Sequence, residues 1–210
     1  MLVRLGDGYA QVLADHHRLI RASLAAHGGE EVDTQGDAFF AVFSSPSSCI
    51  AAAIEMQRAF LSHSWPAGEQ VRVRMGVHSG EASRTEAGLV GLSVHRAARV
   101  AAVGHGGQTL VSAATAALLG DSMPVGASLK DLGLHRLKDL GPPGQIFQLE
   151  ADGLATALFF AAAPALGASY KFEYVRMFPD SRIEYSRSFP GELFTADAPN
   201  SSISTGGSST

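Results

Sequence analysis

The sequence has one cysteine, no long apolar run and no signal-peptide pattern, and each scarcity excludes a class of protein. A single cysteine, Cys49, among 210 residues excludes an internal disulfide framework and favours a reducing compartment. The longest apolar run, which begins at Leu154, is too short to span a bilayer and is interrupted by Pro164. The N-terminal residues lack the apolar segment of a secretory signal. We therefore expect a cytoplasmic protein with no membrane partner.

Positive charge is also scarce. The net charge of −4 gives no electrostatic reason to expect direct binding to nucleic acid. The hydrophobic fraction of 46% is ordinary for a globular protein, and the length suits one domain with a substantial core. The hydrophobic periodicity ends near Gly153, and the chain finishes in the polar stretch DAPNSSISTGGSST. We expect one domain over residues 1–150 and a largely disordered tail over 151–210, in which YKFEYVRMF and SRIEYSRSF are candidate strands.

Strands and helices alternate along the first 150 residues. An amphipathic helix is predicted from Asp7 to His27, and the adjacent His16 and His17 within it are expected to be surface or boundary residues. The apolar stripe of this helix is predicted to contain Tyr9, Leu13, Ile20 and Leu24. A hairpin follows, and a later strand alternates four apolar residues with Arg72 and Arg74, which are expected to form its wet face. Hairpins among interleaved helices favour an α+β fold with a mixed or antiparallel sheet.

Four stretches carry the candidate chemistry. They are EVDTQGD from Glu31, VRVRMGVHSGE from Val71, GLVGLSVHRAAR from Gly88, and HRLKDL from His135. Each alone is a weak signal, because a Gly-Asp turn is common and a His and an Arg four residues apart on a helix usually form an exposed polar face. Their spacing does place His95 and Arg99 one turn apart on the same helix face.

In this order and spacing the four stretches resemble the class III nucleotidyl cyclases, the adenylate and guanylate cyclases. The resemblance covers about residues 2–149 and is strongest to actinobacterial domains that are fused to ATPase or DNA-binding regulators. It implies a ferredoxin-like α+β fold that acts as a head-to-tail homodimer with ATP or GTP sites at the interface. In the family, two Asp residues hold two Mg²⁺ or Mn²⁺ ions, and the partner subunit supplies a purine-reading Lys and Asp, an Asn and an Arg.

Carried over residue by residue, the resemblance is partial. Asp37 matches the second metal-binding Asp, and Arg99 matches the transition-state Arg. His95 stands at the Asn position, while Asp33 and Gly88 stand where the family has its purine-reading Lys and acidic residue. The first metal-binding Asp belongs to a strand before the first helix, and that strand is expected to be missing here. We therefore also expect an unpaired place in the sheet.

If Gln35 and Gly36 form a two-residue turn, strand alternation directs Asp33 and Asp37 to opposite faces of the hairpin. Two hypotheses follow from these residues. The first is a nucleotidyl cyclase with weak activity or relaxed purine specificity, which requires the upstream strand. The second is a degenerate cyclase-homology module that dimerises, binds nucleotide and regulates an attached effector.

Overall fold

The computed structural model describes residues 8–66, 70–85 and 88–154, together with the backbone of two short segments from the tail. The elements in chain order are α1 (Gly8–Ala26), β1 (Glu30–Gln35), β2 (Ala38–Phe43), α2 (Pro46–Ser62), β3 (Arg72–Ser79), β4 (Ser83–Thr85), β5 (Gly88–Val90), α3 (Leu92–Ala102), β6 (Thr109–Ser112), α4 (Ala113–Leu119), β7 (Ala127–His135), β8 (Gly144–Ala151), β9 (Ser169–Lys171) and β10 (Tyr174–Met177). Within the described parts of the chain, no helix is long and apolar enough to cross a membrane.

The main sheet is mixed, as the sequence predicts. Its strands lie in the order β1, β2, β10, β3, β6, β8, β7, and β9 also pairs with β3. The β1–β2, β6–β8 and β7–β8 pairs are antiparallel, whereas β3 and β6 are parallel. A separate two-stranded hairpin, β4–β5, precedes α3. The α+β class with a mixed sheet packed by helices is therefore confirmed.

The expected unpaired place in the sheet is occupied, so that expectation is wrong. Strand β10 pairs in parallel with both β2 and β3, and its residues 174–177 run beside Phe40–Phe43. The stretch YKFEYVRMF, predicted to contain a strand, supplies β10 and part of β9. The second candidate, SRIEYSRSF, lies outside the described residues. The backbone N–H and C=O groups of β2 and β3 that face this place in the sheet are thus paired with β10 of the same chain.

Helix α1 buries Ile20 and Leu24 as predicted, but the N-terminal half of its stripe contains Val12 and His16 in place of Tyr9 and Leu13. Val12, His16, Ile20 and Leu24 follow at intervals of four and are buried, whereas Tyr9 and Leu13 are half-buried. The expectation that His16 is a surface or boundary histidine is wrong, because its side chain is only 1% exposed. Its ring packs against those of Phe39 and Phe60, with centroids 5.9 and 5.3 Å away. His16 is thus part of the main core.

We expect the chain to lose stability in acid through His16. Burial, with the neighbouring His17 as the second cause, lowers the pKa of His16 from 6.5 to about 3. Because the folded state holds the neutral ring, this contribution is complete above pH 6.5 and is lost as the pH falls from 6.5 towards 3. The free energy of unfolding, measured with urea, should be lower by about 2 kcal/mol at pH 5 than at pH 7.

The control for this prediction is a histidine outside the core. His16→Leu should flatten the dependence of unfolding free energy on pH, because leucine has no proton to gain. His105→Gln, which changes an exposed histidine, is the matched variant. An unchanged slope in His16→Leu would contradict the assignment to His16.

Strand β3 forms the centre of the sheet and contacts α3 closely. Val71, Val73, Met75 and Val77 are all buried, which confirms the predicted alternation. Arg72 is exposed as expected. The wet-face interpretation is wrong for Arg74, whose guanidinium donates hydrogen bonds to the carbonyl oxygens of Ala102 and Gly104, at 3.4 and 3.3 Å. It thereby satisfies carbonyl groups at the C-terminal end of α3.

Candidate active site

The β1–β2 hairpin places Asp37 in a tight turn. Gln35 pairs with Ala38, so the two turn residues are Gly36 and Asp37, and the predicted turn at Gln35 and Gly36 is wrong by one residue. Gly36 has a φ of +60°, a conformation that suits glycine at the first position of a two-residue hairpin turn. The ring Nε2 of His17 lies 2.7 Å from the carbonyl oxygen of Gly36. Helix α1 thus holds the tip of the hairpin.

The carboxylate of Asp33 is engaged by its own strand. Its Oδ1 accepts a hydrogen bond from the backbone N–H of Thr34 at 2.8 Å, and its Oδ2 accepts one from Nε2 of Gln35 at 3.1 Å. The strand register shifts between Glu31 and Asp33, which interrupts the alternation of side chains. Asp37 lies in the turn and not in a strand, so strand alternation does not determine its direction relative to Asp33.

The two-residue turn offers a metal ion one carboxylate ligand, that of Asp37. Among the described residues there is no group of three or more His, Cys, Asp or Glu side chains that could hold a metal. Mg²⁺ is nevertheless often bound by one or two carboxylates together with the phosphates of a nucleotide. Asp37 fits that role as a single ligand on a half-buried turn. Both carboxylate oxygens of Asp33 already accept one hydrogen bond from its own strand, so a metal ion would have to share these oxygens.

Helix α3 separates a buried face from a polar one. Its small and β-branched residues face the core, and they are Val94, Ala97, Ala98, Val100 and Ala101. His95 is exposed and Arg99 is half-buried, four residues apart, so both project from the polar face. The structure therefore brings these two predicted site residues together on one helix surface.

Gly88, which stands at the second purine-reading position, begins β5. Its φ of +127° lies in the region that L side chains rarely adopt. An acidic residue at position 88 would therefore be strained in this backbone conformation. The absence of a carboxylate here agrees with the local geometry of the β4–β5 hairpin.

One small hydrophobic cluster joins the elements that carry these residues. Its buried members are Phe40, Val42, Leu89, Val94, Ala97 and Ala98, and Val32 packs against it. In sequence, Val32 precedes Asp33, Leu89 follows Gly88, Val94 precedes His95 and Ala98 precedes Arg99. The cluster thus links β1–β2, β5 and α3, and four of the five predicted site residues are sequence neighbours of its members.

Sequence reasoning assigned no role to Asp139, although it noted the stretch HRLKDL. In the structure, Nη2 of Arg99 donates to Oδ2 of Asp139 across 2.8 Å. Asp139 lies in the loop between β7 and β8, 40 residues from Arg99 along the chain. The third and fourth stretches of the motif therefore meet through this ion pair.

The architecture defines the class of protein. The fold is similar to adenylate cyclases of Trypanosoma brucei solved in their monomeric state, with a TM-score of 0.64 and 23% identity over 76% of this chain and 85% of that chain. It is also similar to an adenylate/guanylate cyclase/hydrolase from Silicibacter pomeroyi, with a TM-score of 0.59 and 25% identity over 71% of this chain and 89% of that one. The described domain thus has the class III nucleotidyl cyclase fold.

The family follows from the sequence comparison. The profile of the adenylate and guanylate cyclase catalytic domain matches residues 6–141, and the chain belongs to this family, whose members generally use divalent metal ions. An uncharacterised protein of Mycobacterium tuberculosis is 34% identical over 145 residues, which are 68% of this chain and 48% of that protein. A receptor-type adenylate cyclase of Trypanosoma equiperdum is 29% identical over 66% of this chain and 39% of its own length. The chain therefore spans half or less of the length of these relatives.

Proposed function

We propose that this domain binds ATP or GTP together with Mg²⁺ or Mn²⁺ and cyclises the nucleotide slowly. The observation that supports this best is the cluster that joins β1–β2, β5 and α3 and so fixes His95 and Arg99 on one polar face. Residues 1–150 are the cyclase homology domain of this proposal. We place it in the cytoplasm, as part of a larger signalling protein of the actinobacterial fusion type.

In the proposed reaction the ribose 3′-oxygen forms a bond to the α-phosphorus while the bond to the bridging oxygen of the β-phosphate breaks. The products are a cyclic nucleotide and pyrophosphate, and the hydroxyl proton passes to solvent. The guanidinium of Arg99 would meet the negative charge that develops on the phosphoryl oxygens, and His95 would donate a hydrogen bond to them. Asp37 would hold the divalent ion, which supplies neutralisation of phosphate charge when bound.

We expect the domain to discriminate poorly between the purine bases of ATP and GTP. Asp33 cannot serve as the donor that a lysine would provide at its position, and its carboxylate is bound to its own strand. Gly88 has no side chain to read a base edge. A site that forms few hydrogen bonds to its substrate discriminates poorly between analogues. We therefore expect ATP and GTP to be handled at similar rates.

The proposed site forms between two copies of the chain. Asp37 lies on the hairpin tip, whereas His95 and Arg99 lie on α3, a separate element. In a head-to-tail dimer, the Asp37 of one copy would face the α3 of the other. A second candidate, a module that dimerises and binds nucleotide without turnover, is favoured by one observation, the acidic Asp33 at a purine-reading position.

The purified chain tests both candidates. Incubation with Mn²⁺ and ATP or GTP should release cyclic nucleotide and pyrophosphate in equal amounts, as measured by ion-exchange chromatography, and sedimentation velocity should show a dimer. Dimerisation and nucleotide binding without product would support the regulatory module instead. A monomer that binds no nucleotide would contradict both candidates.

A further inference from the structure

We propose that Asp139 is a positioning residue that holds the guanidinium of Arg99 ready for a phosphate group. This inference rests on the proposed function, since it assigns to Arg99 a nucleotide phosphate as ligand. The starting observation is the 2.8 Å contact between Nη2 of Arg99 and Oδ2 of Asp139. The side chain of Arg99 is 17% exposed and that of Asp139 is 65% exposed. The carboxylate thus contacts the guanidinium from the solvent side.

The backbone at Asp139 is strained. Its φ is +62°, and among the described residues it is the one residue other than glycine with a positive φ. Such conformations persist where the surrounding structure fixes them, and they are frequent at functional sites. Leu137 is buried with Val100, the residue after Arg99, and Leu140 packs against the same cluster. The N–H of Leu140 also donates to the carbonyl oxygen of Leu137 at 3.3 Å, which closes the turn around Asp139.

The two hydrophobic anchors explain how the loop meets the helix. Leu137 and Leu140 fix the loop against the turn of α3 that carries Arg99, and Asp139 lies between them in sequence. The strained residue is therefore held where its carboxylate reaches Nη2. An arginine side chain has many rotamers, and restricting them before the ligand arrives lowers the entropic cost of binding. Because the carboxylate is mostly exposed, solvent screens it, and Arg99 retains its attraction for a phosphate.

The matched variants are Asp139→Gly and Asp139→Asn. Glycine accepts a φ of +62° without strain, so Asp139→Gly should melt at the same temperature as the parent or higher. Its affinity for 3′-deoxy-ATP with Mn²⁺, measured by isothermal titration calorimetry, should nevertheless fall by about 2- to 12-fold, which corresponds to immobilising one rotamer-rich side chain. Asparagine tolerates the same backbone and keeps an acceptor, so Asp139→Asn should lose less. Asp121→Asn, at an exposed carboxylate in the short 3₁₀ helix Gly120–Ser122, should bind as the parent does.

A double-mutant cycle makes the test specific for the pair. If Asp139 acts through Arg99, then Asp139→Gly should weaken nucleotide binding no further in a protein that already carries Arg99→Ala. Unchanged or tighter binding by Asp139→Gly would overturn the proposal, and so would a parallel loss of affinity and melting temperature. A parent chain that does not bind 3′-deoxy-ATP would also overturn it. This probe lacks the attacking hydroxyl, so a parent that binds it but does not cyclise ATP contradicts only the proposed catalysis.

Discussion

Gly76→Val should remove about 3–5 kcal/mol of unfolding free energy, which is a large share of the stability of an ordinary domain. A Cβ at position 76 would lie 2.3 Å from the backbone nitrogen of Ala101 and 2.7 Å from its Cα. Strand β3 cannot easily move away from α3, because it is paired with β6 on one side and with β10 on the other. The two backbones approach this closely only because position 76 has no side chain. Urea unfolding followed by circular dichroism measures the loss.

Gly144→Val is the matched control for this prediction. Gly144 begins β8, and a Cβ there would meet nothing within 4 Å. The control should therefore change the unfolding free energy by less than about 0.5 kcal/mol. Ala101→Gly should not rescue Gly76→Val fully, because the nearest obstacle is the backbone nitrogen and not the methyl group. Equal stabilities for the two valine variants would show that β3 and α3 do not pack as closely as described.

Periodicity predicted the elements that surround the site. The alternation of Val73, Met75 and Val77 identified β3 as a strand with a buried face. Such a pattern depends only on which side chains are buried, because the side-chain repeat is two residues in a strand and 3.6 residues in a helix. The spacing of four residues on a helix also predicted that His95 and Arg99 share one face, so this part of the candidate site could be predicted from the sequence.

Other features depend on partners that are distant in the chain. His16 was predicted at the surface because its ring is polar, and only the packing of Phe39 and Phe60 around it shows that this position faces the core. The turn at Gly36 and Asp37 depends on a register shift in β1, which is set by its pairing with β2. No local pattern indicates that β10 enters the sheet beside β2 and β3.

The close approach at Gly76 and the Arg99–Asp139 pair were missed for the same reason. Gly76 and Gly144 are both strand glycines in the sequence, and only the position of Ala101 distinguishes them. Asp139 was visible within HRLKDL, but its left-handed backbone and its partner 40 residues away are properties of the folded chain. The signal in the sequence is that HRLKDL has a lysine and an aspartate between two leucines.

Asp37→Asn should lower the rate of cyclic nucleotide release by about 10²-fold or more if the proposed function is correct. Asparagine has nearly the same shape and suits a turn, so the hairpin tip and its contact with His17 should remain. The substitution removes the negative charge that would attract a divalent ion. Because no cluster of three ligands exists among the described residues, a neighbouring group should not compensate for the loss. The rate of cyclic nucleotide formation with Mn²⁺ and saturating ATP measures the effect. Asp37→Ala should lower this rate by a similar factor.

Two comparisons separate a lost metal ligand from a damaged fold. The melting temperature of Asp37→Asn should match that of the parent, and Asp121→Asn, which changes an exposed carboxylate elsewhere, should retain full activity. If Asp37 acts through the metal, raising the Mn²⁺ concentration should recover part of the activity, because mass action offsets a weaker site. A variant with parental activity at low Mn²⁺ would remove Asp37 from the mechanism. The turn at Gly36 and Asp37 would then be a structural hairpin tip held by α1, and any metal would have to enter with the nucleotide alone.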